Sequence, residues 1–336
     1  MMRLPSFKYH APSTLREAAD LLAATPDAMI VAGGTDLLPN MKRLQQTPRA
    51  LVGLRRVAEL KAVENGDGLA LGAGTTLSAL LGVPTLRDRY AGLWQAAAQI
   101  ATPHLRNMGT LGGNLCLDTR CNYYDQSFEW RKAIDFCLKK DGGTCWVAPS
   151  SARCLAVSST DAAPALIALD ASVTLASAEG ARRIALADLY RNDGIHYAAR
   201  RPDEILTTVH LPRLEGWRST YWKLRRRGAF DFPVLSVAAA VRLARDGTVE
   251  AARLVLGAVA SCPIDARDAA AGLLGGPLSD AAIAQAAEMA ARPARPMDNT
   301  DFSLVWRKRV TRDFVSYALR ELRGDEMGKL RTSLRT

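Results

Sequence analysis

Two Gly-Gly pairs constrain this chain more than any other feature, because each interrupts an apolar run and each is flanked by hydroxyl or amide side chains. In AMIVAGGTDLLPN the run Ala28–Val31 leads through Ala32 into Gly33 and Gly34, with Thr35 and Asp36 directly after. Glycine reaches positive φ at no steric cost, so such a turn aims successive N–H groups at one point and makes a concave anion site suited to a pyrophosphate. The stretch TLGGN repeats the device about 80 residues on, with Thr110 and Asn114 flanking Gly112 and Gly113. Neither pair fits G-x-G-x-x-G or the P-loop pattern, so the two standard nucleotide fingerprints are absent. Either pair alone is compatible with an ordinary turn. Together they would grip one extended dinucleotide.

The surrounding pattern says what carries these turns. Residues 14–24 open with Thr14 three before Glu17 and place Leu15, Ala18, Ala19 and Leu22 at helical spacing, which predicts a capped helix. AMIV and ALVGL read as strands around a helical turn through Leu44, a βαβ-like unit. A second unit begins near 56, with LALGAG as strand, TLSALLG and GLWQAAAQIA as helices, and TLGGN as a second glycine loop. APALIALDASVTLAS predicts helix then strand, and EILTTVHLP a strand ended by Pro212. Beyond a boundary near 215, STYWKLR, PVLSVAAAVRLA and VEAARLVLGAV predict three strands. ARDAAAGLLGG, DAAIAQAAEMAAR and TDFSLVWRKRVTRDFVSYALREL then predict helices. Strands first and helices after indicate an α+β architecture.

The 336 residues, 48% hydrophobic, suffice for a substantial core without cross-links. No apolar run approaches the roughly 20 residues that span a bilayer, and no apolar stretch follows the first basic residues, so a cytoplasmic chain with no membrane contact is expected. The net charge of +10 is spread rather than striped, and the basic stretches RRRG and KLRTSLRT lack interleaved aromatics, so no nucleic-acid partner is expected. His10, His104, His196 and His210 form no ligand pair, and there is no G-x-S-x-G elbow. Four of six cysteines nevertheless fall within residues 121–154. In a reducing compartment, thiols clustered this way are metal ligands or redox groups rather than disulfides. Cys121, Cys137, Cys145 and Cys154 are separated by 15, 7 and 8 residues, which matches neither zinc knuckles nor a ferredoxin run. Spacing alone does not name the metal.

VAGGTDLLP, TLGGN, STDAAP and YWKLRRRGAFDFPVLSVAAAV, in that order, resemble the FAD-binding subunit of the xanthine oxidase family of molybdenum hydroxylases. The resemblance implies a two-part FAD-binding domain of the PCMH type over 1–215, in parts about 1–55 and 56–215. It implies a C-terminal domain of the CO dehydrogenase flavoprotein type over 216–336, a small antiparallel sheet with helices. It places FAD against Ile30, Val31, Ala32, Gly33, Gly34, Thr35, Asp36 and Leu37, against Ile100, and against Thr110, Gly112, Gly113 and Asn114. Asp161 falls at the family's S-D-x-x-P aspartate, with Thr160 in the serine position. Lys223 falls on a lysine near the flavin, and Leu206, beside Ile205, on an apolar contact.

Asn114 and Asp161 enclose 46 residues, so an insertion at about 116–158 interrupts the usual short connection. Its opening, DTRCNYYDQS, and its cysteine spacing resemble the β subunit of 4-hydroxybenzoyl-CoA reductase, which implies a [4Fe-4S] cluster on Cys121, Cys137, Cys145 and Cys154. A structural zinc site or plain buried thiols are the other readings of those four residues. Cys116, two past Asn114, is expected to stay with the glycine loop, and Cys262 to be a small core or loop residue. The resemblance further implies a large molybdopterin subunit and a small [2Fe-2S] subunit, assembled as a dimer of heterotrimers, with electrons entering from ferredoxin and passing through [4Fe-4S] and FAD to the partners' centres. No catalytic residue is expected on this chain. Lys139 and Lys140, in LKKDGG, are expected to help dock an acidic ferredoxin. The rival reading is an FAD subunit of another molybdenum hydroxylase, delivering electrons outward to NAD or quinone beside a structural metal. A basic zinc module that binds nucleic acid or scaffolds an assembly is the reading from another class.

Overall fold

The computed structural model describes residues 3–334 and shows three sheets, each with its own apolar core. The first sheet is parallel, in the order β1 (Lys8–His10), β3 (Ala50–Gly53), β2 (Ala28–Val31). Its crossovers are the helices Leu15–Ala24 and Leu37–Lys42. The first starts where the capping pattern predicts, with the Thr14 hydroxyl accepting from the Glu17 N–H at 3.1 Å. Glu17 reaches back one residue further than a capping box requires and accepts from the Ser13 N–H at 2.8 Å. Ala18, Ala19 and Leu22 then pack on Val52, Leu54, Val57 and Leu60. Ile205 joins this core from the second sheet, tying the two together.

That second sheet is antiparallel, in the order β4 (Val63–Asn65), β5 (Leu69–Gly72), β8 (Ile205–Leu211), β6 (Ser172–Ser177), β7 (Gly180–Ala185). The third, also antiparallel, runs β12 (Ile264–Asp265), β11 (Val249–Gly257), β10 (Leu235–Leu243), β9 (Trp217–Leu224). β10 reads LSVAAAVRL because both its faces are covered. Leu235, Val237, Ala239 and Val241 enter the core beneath the helices Asp280–Ala291 and Leu304–Arg323. Ala238 and Ala240 on the other face meet Ala96, Ala165 and Ala168. Small residues on both sides let the helices Ala91–Ala98 and Ala162–Ala168 lie close to that sheet. The α+β expectation holds. The strands β1, β4 and β7, none with a buried residue, carry too little apolar signal to be read from sequence.

Residues 116–158 form a compact lobe with one helix, Phe128–Ala133, and tight turns that put Asp135, Phe136 and Asp141 at positive φ. A two-residue bridge, Arg120 with Val157, closes its neck. Its buried core is Cys121, Tyr124, Cys137, Cys154 and Ala156.

Candidate functional site

A cleft of about 1130 Å³ lies where the first two sheets, the mouth of the inserted lobe and the loop after β9 converge. The first glycine turn forms its floor. Gly34 has φ +71°, and a Cβ on Gly33 would overlap the backbone carbonyl of Met108, so that turn packs directly on the segment leading into the second glycine pair. The N–H groups of Gly33, Gly34 and Thr35 meet no acceptor among the described residues. A cradle of free donors on a left-handed turn suits the pyrophosphate of a dinucleotide.

The second glycine pair differs from expectation. TLGGN is not a loop but the start of the short helix Leu111–Leu115, capped by the Thr110 hydroxyl, which accepts from the Gly113 N–H at 3.1 Å. The N–H groups of Leu111 and Gly112 already donate to the carbonyls of Thr75 and Ala73. These donors are therefore not available to a phosphate. What Gly112 supplies is thinness: a Cβ there would lie 2.8 Å from that of Ala73. Asn114 is likewise occupied, its Oδ1 accepting from the Thr160 hydroxyl at 2.8 Å and the Ala162 N–H at 3.0 Å. Thr160 thus keeps a hydroxyl at the expected serine position, bonded to Asn114 and accepting from the Ala163 N–H at 3.3 Å.

Ile30, Val31, Ala32, Gly33, Gly34, Thr35, Asp36, Leu37, Ile100, Thr110, Gly112, Gly113, Asn114, Asp161 and Leu206 all line the cleft. Lys223 does not. Its side chain is fully buried behind Asp161, with Nζ 3.0 Å from Asp161 Oδ2 and 3.1 Å from the Gln99 carbonyl. The Tyr221 hydroxyl donates to Asp161 Oδ1 at 2.6 Å. Burial pushes Asp161 up and Lys223 down from their ordinary values, each opposed by the other's charge. Lys223 acts on the cleft only through the carboxylate it holds.

Several cleft residues carry no glycine or family signal. Arg120 pairs directly with Asp36 and lies 3.3 Å from Asp125 Oδ1 and 3.2 Å from Asn40 Oδ1, with its guanidinium 4.8 Å from the centroid of the Phe232 ring. Burial acts to lower its pKa, and Asp36, Asp125 and Asp118 more than reverse this. Asp36 itself is raised by burial, against Arg120. The only trace of Arg120 in the sequence is its place beside Cys121 in DTRC. Nothing local marks its partner 84 residues away.

All six cysteines are free thiols. Cys121, Cys137, Cys145 and Cys154 are each buried, and the first, second and fourth share the small core of the inserted lobe. Cys145 and Cys137 both act electrostatically on Cys154, and Cys154 and Cys137 on Cys121, so the four form one neighbourhood. Burial pushes Cys121 up to about 12 and Cys154 up to about 11. Among the described residues no three ligand-type side chains converge tightly enough to hold a single ion. Cys116 lines the cleft instead, apart from this group, and Cys262 is half-buried.

The docking expectation fails at Lys139. Lys139 points inward, its side chain only 6% exposed, pairing with Asp118 Oδ1 at 2.8 Å. Lys140 is part-exposed but paired with Asp141 at 3.4 Å. An interior ammonium cannot steer a partner across solvent.

Residues 5–214 match the family described as the FAD binding domain in molybdopterin dehydrogenase, and residues 219–322 match the CO dehydrogenase flavoprotein C-terminal domain. The chain belongs to this family of FAD-binding subunits. Among its relatives is the aldehyde oxidoreductase FAD-binding subunit PaoB of Escherichia coli, 35% identical over 79% of this chain and 86% of that one. The carbon monoxide dehydrogenase medium chain of Afipia carboxidovorans is 31% identical over 85% of each. The solved Cu,Mo-CO dehydrogenase superposes over the whole of both chains with TM-score 0.78 at 26% identity. Among the described residues no helix is long and apolar enough to cross a membrane.

Proposed function

We propose that this chain is the electron-transfer subunit of a molybdenum enzyme, carrying FAD in the cleft and a [4Fe-4S] cluster on Cys121, Cys137, Cys145 and Cys154, and that the enzyme is a 4-hydroxybenzoyl-CoA reductase. The observation that carries the cluster is the gathering of four buried thiols in a lobe with too small a core to need burying them for packing alone. Thiolate softness favours iron-sulfur or zinc over harder ions. When bound, FAD supplies one- and two-electron exchange and the cluster one-electron exchange.

The chain's own residues do the rest. The free N–H groups of the first glycine turn hold the pyrophosphate. Met29-Ile30-Val31, Ile100 and Leu206 exclude water from the apolar wall. Asp161, fixed by Lys223 and Tyr221, presents a hydrogen-bonding edge. The partners fitting this reading are a large molybdopterin subunit and a small [2Fe-2S] subunit in a dimer of heterotrimers, with ferredoxin as donor. A division of the chain near residue 215 belongs to the same reading.

The relatives themselves support a second reading, since they are named as aldehyde oxidoreductase and carbon monoxide dehydrogenase subunits. In that case electrons leave through FAD. The assembled enzyme separates the two. Pre-reduced anaerobically with dithionite, it should be reoxidised by 4-hydroxybenzoyl-CoA with benzoyl-CoA formed. Bleaching of the oxidised enzyme by an aldehyde, with no response to the CoA ester, would overturn the first reading in favour of the second.

A further inference from the structure

Lys139 lies in the loop between Cys137 and Cys145, and its ammonium is more thoroughly partnered than a docking residue would be. Nζ donates to Asp118 Oδ1 at 2.8 Å, Thr119 Oγ1 at 2.8 Å and the Gly194 carbonyl at 2.6 Å. It also sits 4.8 Å from the centroid of the Tyr124 ring and 5.5 Å from that of Tyr197. Each contact points to one of two places. Asp118 and Tyr197 line the FAD cleft. Gly194 belongs to the cysteine pocket: its N–H donates to the Cys154 carbonyl at 2.9 Å, and a Cβ on it would lie 2.6 Å from Cys154 Sγ. Tyr124 belongs to the same pocket's core. The pair Lys139–Asp118 is therefore a buried ion pair set between the thiols and the cleft, with the ammonium close enough to act electrostatically on Cys154. Asp118 is kept in place by the Thr119 N–H on Oδ1 at 2.8 Å and the Tyr124 hydroxyl on Oδ2 at 3.1 Å.

We infer that Lys139 is a positioning and tuning residue, whose buried charge biases the four-cysteine pocket toward accepting an electron and ties that pocket to the wall of the FAD cleft. The inference rests on the [4Fe-4S] reading above. One electron from an external one-electron reductant, dithionite or an iron-sulfur protein, adds one negative charge to the pocket. No bond is made or broken. A fixed cation in a poorly hydrated site favours the more negative state. With Asp118 left behind and no lysine, the same site would oppose it. A strut without an electrostatic role would change iron retention alone.

The test is an EPR-monitored redox titration of the assembled enzyme, with iron and sulfide assayed on the same samples, for wild type, Lys139→Met, Lys139→Arg and Asp118→Asn. Lys139→Met should reduce the equilibrium constant for reducing the cluster about tenfold or more, and Lys139→Arg should restore it to within about threefold. Asp118→Asn, which removes the negative charge, should shift it in the opposite direction. A midpoint unchanged in Lys139→Met with iron intact would overturn the inference. If Lys139→Met cannot retain iron, an unchanged midpoint in Asp118→Asn overturns it instead. Wild-type enzyme lacking iron would remove the cluster reading itself, a different failure that the metal assay reports before any variant is made.

Discussion

The C-terminal domain and the inserted lobe are held together in opposite ways. In the first, one continuous apolar core runs from β10 and β11 through Phe314, Val315 and Leu319 of the long helix, and the cation buried beside it, Arg307, is satisfied by the carbonyls of Val234, Met297 and Ala258. In the second, the apolar core is a handful of side chains, and three of its five members are cysteines. Buried charge takes over: Arg120 with Asp36 and Asp125, Lys139 with Asp118, and Arg131 donating to the carbonyls of Arg43 and Leu44. Breaking a buried ion pair from one side costs about 3–5 kcal/mol. Such pairs give position rather than net stability, so the lobe needs a further source of free energy. On the proposed reading, ligation by four thiolates would be that source, and it would also have to offset the upward push of burial on Cys121 and Cys154.

The largest effect that would break this contrast is removal of the metal. Four-thiolate binding to a structural site is worth on the order of 10 kcal/mol. Stripping iron with a chelator, or replacing Cys137 by Ala, should open the lobe to trypsin at Lys132 and Lys140 while the C-terminal domain stays resistant. Equal resistance with and without iron would show that the lobe stands on its own packing. Next, Phe314→Ala removes a ring set edge-on to Trp222 at 6.4 Å. We expect a loss of about 3–5 kcal/mol by denaturant unfolding of that domain, with iron content unchanged.

Arg120→Met comes third, at about 3 kcal/mol. Because Arg120 touches Asp36 in the glycine turn as well as Asp125 in the lobe, flavin retention, read by fluorescence of released FAD, should fall with the lobe's protease resistance. Independent responses would mean that the two sites are not joined through this residue. The smallest effect concerns Glu321, which bonds Trp222 at 2.9 Å and Arg331 at 2.8 Å. Burial raises its pKa, and Arg331 more than reverses that, leaving it below the ordinary value of 4.5. A lowered folded pKa stabilises above the unfolded value and is lost as pH falls through the folded one. Glu321→Gln should therefore be about 1 kcal/mol less stable near pH 7, and the difference should close below about pH 4.

The two regions also differ in how legible they are from sequence. β10, β11 and the long helix follow from apolar periodicity, because a core of this size is written into every turn of helix and every alternate strand residue. Ser303 caps the long helix by accepting from the Trp306 N–H, and Gly324 at φ +114° ends it, both local signals. The inserted lobe has no such period. LKKDGG reads as a basic surface point, yet Lys139 turns inward to a carboxylate 21 residues earlier and a carbonyl 55 residues later. Lys223, which the family resemblance puts near the flavin, stands behind Asp161, 62 residues earlier. In both cases the deciding partner is distant in sequence, which composition and spacing do not encode. TLGGN is a subtler case: the glycines and Thr110 are in the expected place, but the threonine caps a helix and the neighbouring backbone donors are already used.

Elemental analysis with low-temperature EPR on anaerobically purified chain tests the central claim most directly. The account predicts one FAD together with about four irons and as many sulfides per chain, and a cubane signal on one-electron reduction. One zinc per chain, or bound flavin with neither metal nor sulfide, would contradict it.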